Sequence, residues 1–190
     1  MRSMTPLLAL VSVVALGTAC TDAETVTRPA PTAAADARAS AEGSVRRIEM
    51  HDACDPMSFN NAIGEGTCTR SGGMKFDRFI AQLTKRGSVG AWRFAPSELD
   101  ARVGQTLMAI NLGGEVHTFT EVEEFGGGIV PMLNQLSGNT EVAPECLALE
   151  PDDFIPPGGN DADDEVEEVG TEMYQCCIHP WMRTIVHGRA

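Results

Sequence analysis

The order of apolar and polar residues after Ala91 predicts short β-strands separated by turns. Four segments carry the strand pattern: Glu98–Val103, Thr106–Asn111, Glu115–Glu121 and Met173–Cys177. Turns are predicted at Gly104-Gln105 and Gly113-Gly114, between the first three strands. Because an α/β fold alternates its strands with helices, this arrangement favours a β-sandwich instead.

One short helix is predicted before these strands. Its apolar residues are spaced by three, one and three positions, which places them on one helical face: Phe76, Phe79, Ile80 and Leu83. The helix should end near Gly87. Upstream, the segment from Cys54 to Cys68 is rich in Asn and Gly, and we interpret it as a loop closed by a disulfide between these two cysteines. A single helical turn is expected at 131–136.

The first residues have the pattern of a secretory signal. A basic start is followed by an apolar run from Leu7 to Gly17, which is too short to span a bilayer. Leu16–Cys20 resembles a bacterial lipobox, so we expect residues 1–19 to be removed and Cys20 to be lipidated. The alternative is an ordinary cysteine beside a conventional cleavage site. In both cases the protein leaves the cytoplasm for the periplasm or the cell surface.

The rest of the chain divides into a tether and a folded domain. Residues 20–45 are expected to be a disordered tether, because they are rich in Ala, Thr, Pro and acids and contain no aromatic residue. Residues 46–190 have the usual size of one domain. Within them, residues 46–95 are interpreted as an N-terminal extension. The lipid would be the only attachment to the membrane.

The chain is acidic. Its formal charge is −13, and loss of residues 1–19 removes one base and no acid, which makes it −14. Nucleic acid is therefore excluded as a partner, because its phosphates would be repelled. Nine of the 27 acids lie between Glu150 and Glu168, without a Lys or Arg among them. This segment is interpreted as a solvated surface loop or a weak edge strand, with a docking surface for a basic partner as the alternative role of its charges.

The number of cysteines points to a metal. Five remain after Cys20, an odd number in a compartment where thiols oxidise. The spacing of Cys176, His179 and Met182 places a thiol, an imidazole and a thioether at three-residue steps. His117 lies in a predicted strand on the same face as Phe119, and so points into the domain, whereas Thr118 and Thr120 should point the other way. Two imidazoles, a thiolate and a weak axial thioether are the ligands of a blue copper site.

Other interpretations of these residues are weaker. A c-type haem needs Cys-x-x-Cys-His, which is absent, and a dinuclear copper centre needs two ligand cysteines separated by three residues. Zinc accepts His and Cys, but a thioether is a poor ligand for it. Taken singly, the cysteines would be disulfide or core residues, and His117 and Met182 would be core residues. Their joint order and spacing favour copper.

These residues resemble the cupredoxin (type 1 blue copper) family. The loop has Tyr, Cys, His-Pro, an aromatic residue and Met in the order found in amicyanin and is also similar to plastocyanin, and the resemblance covers about 97–185. It implies an all-β Greek-key β-sandwich, one bound copper ion and single-electron transfer with a redox protein partner. It also implies a monomer without substrate turnover. The chain departs from the family at Thr118, where Asn is frequent, at Cys177 and in the acidic insert.

Strand alternation decides between the adjacent cysteines. Cys176 shares its face with Tyr174 and should point inwards, whereas Cys177 shares its face with Gln175, which favours the surface. With Cys176 assigned to copper, a second disulfide is expected between Cys146 and Cys177.

The ring edge of His179 is expected to emerge at an apolar surface, where a redox partner could dock. Two alternatives to electron transfer remain: a copper carrier or buffer, and a structural exported module with a vestigial metal site.

Overall fold

A computed structural model of the chain describes residues 44–162 and 164–190. The predicted signal peptide, the lipidated Cys20 and nearly all of the tether lie outside these residues. Ten strands are present in chain order: β1 Val45–His51, β2 Arg93–Ala95, β3 Glu98–Arg102, β4 Thr106–Asn111, β5 His117–Thr118, β6 Thr120–Val122, β7 Phe154–Ile155, β8 Asn160–Asp161, β9 Gly170–Gln175 and β10 Arg183–Arg189. Among the described residues, no helix is long and apolar enough to cross a membrane.

Eight of these strands form two four-stranded sheets. The first sheet has the order β2-β1-β4-β8, and the second has the order β3-β10-β9-β6. Strands β1 and β4 are parallel, as are β3 and β10, and the other neighbours within these sheets are antiparallel. The remaining strands, β5 and β7, pair separately. Buried and exposed residues alternate along β3, β4 and β10, so each sheet presents one apolar face to the core.

The two sheets pack together through one hydrophobic core. Ile48 and Leu107 of the first sheet belong to the same buried cluster as Tyr174 and Val186 of the second. Phe119 stacks on the Tyr174 ring, with the ring centroids 4.4 Å apart. These contacts confirm the predicted β-sandwich, in which aromatic rings join the two layers.

The helices are more numerous than predicted. Three α-helices are described: α1 Pro56–Ala62, α2 Phe76–Arg86 and α3 Pro131–Ser137. Helix α2 confirms the predicted helix and ends at Gly87 in the left-handed conformation. Helix α1 is a correction, because this part of the Cys54–Cys68 segment was predicted to be a loop. The Asp55 side chain caps the helix by accepting from the Ser58 N–H, and Pro56 follows at the first helical position.

The residues interpreted as an N-terminal extension contribute to the sandwich itself. Strand β1 pairs with both β2 and β4, and Ile48 and Met50 within it are fully buried. Helices α1 and α2 add a cluster of aromatic rings, in which Phe59 contacts Phe76 and Phe79. The segment 46–95 therefore supplies two strands of the first sheet and two helices beside it.

Candidate metal centre

The loop between β9 and β10 carries three of the four predicted ligands. The backbone N–H of Cys176 donates to the carbonyl of Met182 at 3.0 Å, and the N–H of Met182 donates to the carbonyl of His179 at 2.8 Å. These two bonds close the loop on itself. All three residues are buried. These backbone hydrogen bonds therefore hold the loop in shape without relying on the ligand side chains.

The fourth predicted ligand, His117, lies in β5 and is fully buried, as predicted. Strand β5 pairs with β7, whereas β6 pairs with β9 of the second sheet, so the chain changes partner at Phe119. Thr118 was expected to point away from the core towards solvent, but it is fully buried, because the loop after β9 covers it and the N–H of Cys177 donates to its hydroxyl at 2.8 Å.

Three donor atoms meet at one place. The Sγ atom of Cys176 lies 3.8 Å from Nδ1 of His117 and 3.9 Å from Nδ1 of His179. These three atoms all lie within 4.8 Å of one another. Among the described residues, the other group at such distances is Asp52, Cys54 and Glu115, and its cysteine is already in a disulfide. The donor set of a thiol and two imidazoles fits copper.

The Cys176 sulfur has the surroundings of a thiolate. The backbone N–H groups of Thr118 and His179 point at it, with N–S distances of 3.4 and 3.5 Å. Burial would raise the pKa of the Cys176 thiol, but its hydrogen bonds with His117 and His179 lower the pKa well below its ordinary value. Thr118 donates to the sulfur through its backbone N–H, so this hydrogen bond does not require the Asn side chain that is frequent in the family.

The two adjacent cysteines lie in different parts of the core. Cys176 belongs to the main cluster and is the free cysteine among the described residues. Cys177 forms a disulfide with Cys146 in a second, smaller cluster. The other predicted disulfide, Cys54–Cys68, is also formed. Gln175 is a correction: it was expected to favour the surface, but it is buried, because its side chain hydrogen-bonds Gly126 and Gly127.

Asp52 lies behind His117. Its Oδ2 atom is 3.1 Å from Nε2 of His117, the ring nitrogen that faces away from the sulfur. Burial would raise the pKa of Asp52, but its hydrogen bonds with His117 and the backbone of Glu115 hold that pKa below its ordinary value. Burial would lower the pKa of His117, but the hydrogen bonds with Asp52 and Cys176 raise it to about 9.

Glu115 lies behind His179 in the same way. Its Oε2 atom is 3.6 Å from Nε2 of His179 and accepts a hydrogen bond of 2.6 Å from the indole N–H of Trp92. Burial raises the pKa of Glu115, and the charge of His179 and the bond from Trp92 oppose this shift. Each histidine therefore has one ring nitrogen towards Cys176 and the other towards a carboxylate.

The structure covers His179, which corrects the expectation that its ring edge emerges at the surface. The side chain of His179 is 4% exposed. The ring centroid of Trp181 lies 5.6 Å from it, and that of Trp92 lies 6.5 Å from it. Phe79 of α2 contacts both tryptophans. Phe79 and Trp92, which precede the predicted strands, complete the cover that Trp181 begins, and no sequence pattern predicts that they pack there.

Sequence reasoning did not identify Asp52, Glu115 or Trp92 as part of the site. A signal was available for Glu115, because strand alternation places it on the same inward face as His117 and Phe119. A carboxylate on that face is costly to bury unless it has a partner, and this indicates a role in the site. Asp52 carried no such signal. Asp52 follows β1 and is 65 positions from His117 in sequence, and the pairing of β1 with β4 brings it close.

Several solved structures are similar to this chain. A purple cupredoxin from Nitrosopumilus maritimus is 17% identical, with a TM-score of 0.41, over 75% of this chain and 98% of that one. A mutant plastocyanin of fern is 12% identical, with a TM-score of 0.40, over 76% and 100%. A mutant amicyanin in its Cu(I) form is 21% identical, with a TM-score of 0.35, over 51% and 73%. No family model and no curated protein matches the chain.

Two four-stranded sheets enclose one core, one histidine comes from β5, which pairs with β7 outside these sheets, and a thiol and a second histidine come from the loop between the last two strands. With these features, the chain has a β-sandwich fold with three metal-binding groups gathered at its core.

Proposed function

We propose that the chain binds one copper ion and carries single electrons outside the cytoplasm. The proposed ligands are His117, Cys176 and His179, with Met182 as the weak axial ligand. One observation carries the proposal: a buried thiol, whose pKa is lowered well below its ordinary value, lies within 4 Å of an Nδ1 atom of each of two buried histidines. A bound copper ion would supply the one-electron change between Cu(II) and Cu(I).

The surrounding residues hold the donor atoms in place. The N–H groups of Thr118 and His179 stabilise the thiolate, and the backbone bonds of Met182 keep the loop closed. A frame that does not rearrange favours electron transfer, because less reorganisation accompanies each change of charge. The buried position of the donors also favours retention of the metal, and this supports electron transfer over a copper carrier or buffer.

The location and the partner are part of the same proposal. We propose that Cys20 is lipidated, that residues 20–45 tether the domain, and that the protein works at the periplasm or cell surface as a monomer. A separate redox protein would be the partner, and no substrate turnover is expected. The two disulfides, Cys54–Cys68 and Cys146–Cys177, support an oxidising compartment.

A copper titration of the metal-free domain tests this function. We expect one Cu(II) per chain, an intense visible band from the thiolate, and a reversible redox wave. Zinc serves as the control, because it should bind without colour and without a wave. A protein that takes up no Cu(II), or takes it up without the thiolate band, would contradict the proposal. Copper that binds with the band but shows no reversible wave would favour the carrier.

A further inference from the structure

Both histidines of the site have a buried carboxylate behind them. The Nδ1 atoms of His117 and His179 face Cys176, and their Nε2 atoms face Asp52 and Glu115 respectively. The carboxylate side chains are 1% and 7% exposed. Two carboxylates at such burial require partners that compensate the loss of water.

The Asp52 carboxylate is held by more than the histidine. Its Oδ2 atom accepts from the backbone N–H groups of Gly114 and Glu115 at 2.7 and 2.9 Å, and its Oδ1 atom accepts from the N–H of Cys54 at 3.1 Å. A Cβ atom at Gly113 would collide with this carboxylate. Asp52 is therefore fixed between β1 and the segment that leads into β5, and it cannot turn away from His117.

The Glu115 carboxylate is fixed by a different route. The indole N–H of Trp92 donates to it at 2.6 Å, and the carbonyl of Glu115 accepts from the Asn111 side chain at 2.8 Å. Trp92 is itself buried among aromatic rings, including Phe59 and Phe79. Backbone and side chain of Glu115 are thus both tied down.

We propose that Asp52 and Glu115 are positioning residues for the two histidine ligands. Asp52 accepts the Nε2 proton of His117, and the Glu115 carboxylate attracts the Nε2 edge of His179 from 3.6 Å, so that Nδ1 of each ring is directed at Cys176. Their negative charge also favours Cu(II), the more positive state of the metal, over Cu(I). This inference rests on the proposed function, because it takes the two rings as copper ligands.

The affinities of Asp52→Asn and Glu115→Gln for the two copper states test the inference. Each amide keeps the shape of the side chain but removes its charge. We expect the affinity for Cu(II) to fall about 10-fold to 100-fold, the range seen when partners of metal-ligating histidines are removed, and the affinity for Cu(I) to fall less. The reduction potential should rise accordingly. Glu98→Gln is the matched control, because it alters an exposed carboxylate that lies 2.7 Å from Nε2 of His187, on the sandwich surface.

A nuclear magnetic resonance measurement on the metal-free protein gives a second readout. The wild type should show a slowly exchanging, strongly deshielded Nε2–H signal from His117 and a slowly exchanging Nε2–H signal from the buried His179. Asp52→Asn should weaken the first signal, and Glu115→Gln the second. Trp92→Phe removes the donor to Glu115 without changing a charge, and it should alter the His179 signal alone. If Asp52→Asn does not fold, Trp92→Phe still tests the inference at Glu115 and His179.

The outcomes separate the inference from the proposed function. If the wild type binds no copper, the proposed function is wrong, while the Nε2–H signals still report on the carboxylates. If both variants bind copper with the wild-type ratio of Cu(II) to Cu(I) affinities, the positioning role is overturned and the proposed function stands. Unchanged Nε2–H signals in both variants would also overturn the positioning role.

Discussion

Cys176 and Cys177 are neighbours in sequence, but their sulfur atoms lie in separate hydrophobic clusters. The first faces His117 and His179, and the second is bonded to Cys146. The first prediction follows from this division. Cys176→Ser should abolish the intense thiolate-to-copper band, because a hydroxyl does not give that transition. The visible spectrum of the copper-loaded variant measures this.

The matched variant is Cys177→Ser combined with Cys146→Ser. It should keep the band, because neither residue faces the donor set, and it should lower the free energy of unfolding by about 2 to 4 kcal/mol through loss of the disulfide. Denaturant unfolding gives this value. Loss of colour in the double variant with colour retained in Cys176→Ser would falsify the assignment of the ligand.

Local pattern predicted much of this arrangement, and long-range contacts explain what it missed. The periodicity of two around Tyr174 and Cys176 identified the inward cysteine, and the periodicity of a helix identified α2. Helix α1 was missed because its signal is a cap, Asp55 followed by Pro56, rather than an apolar stripe. The burial of His179 could not be predicted, because it depends on how α2 packs against the ligand loop.

The second prediction concerns Thr118. Its hydroxyl accepts a hydrogen bond of 2.8 Å from the backbone N–H of Cys177, and both residues are fully buried. Thr118→Val keeps the shape but leaves that N–H unpaired, so we expect a loss of about 1 to 3 kcal/mol in unfolding free energy. The copper band should persist, because the donor to Cys176 is the backbone N–H of residue 118.

Thermal or denaturant unfolding of the metal-free protein measures the change. Thr84→Val is the control, since the hydroxyl of Thr84 bonds a helical carbonyl at an exposed position. Equal stability changes in the two variants would argue against a special role for the buried hydroxyl. Loss of the band in Thr118→Val alone would show that the side chain, and not the backbone, tunes the thiolate.

The third prediction concerns the close approach of two chain segments at Gly128. A Cβ atom there would overlap the carbonyl oxygen of Cys177, which accepts a hydrogen bond of 2.7 Å from the N–H of Ile129. Gly128→Ala should therefore lower the unfolding free energy by about 3 kcal/mol, the upper end of the usual cost of overpacking. Gly90→Ala is the control, because a Cβ atom at Gly90 meets no atom within 4 Å. A smaller loss for Gly128→Ala than for Gly90→Ala would be inconsistent with this packing.

The fourth prediction concerns the cover over His179. Trp181 contacts both that ring and Phe79, with centroid distances of 5.6 and 6.0 Å. Trp181→Ala should open a path to the ring and raise the rate of electron exchange with a small redox complex several-fold. Stopped-flow spectroscopy at the thiolate band measures the rate. Met132→Ala, at an exposed residue of α3, is the control. An unchanged rate in Trp181→Ala would mean that electrons leave the site by another face.

The last prediction concerns acidic residues on the second sheet. Burial raises the pKa of Glu121, and repulsion from Glu172, Glu167 and Glu145 raises it further. The folded protein therefore holds this proton more tightly than the unfolded chain does. As pH rises from the unfolded pKa through the folded one, deprotonation costs the folded state more, and stability falls. At neutral pH the full penalty is present, and below the unfolded pKa it is absent.

Glu121→Gln should accordingly stabilise the protein at neutral pH and lose this advantage in acid. The gain is at most about 1 kcal/mol, because Glu121 is only partly withdrawn from solvent and its interactions are screened. It should also shrink as salt is added, since the repulsion acts between surface charges. Glu65→Gln, in an exposed turn, is the control. A gain that persists unchanged through pH 4 and at high salt would mean that Gln stabilises this position by packing, and that the acidic surface exerts no repulsion on Glu121.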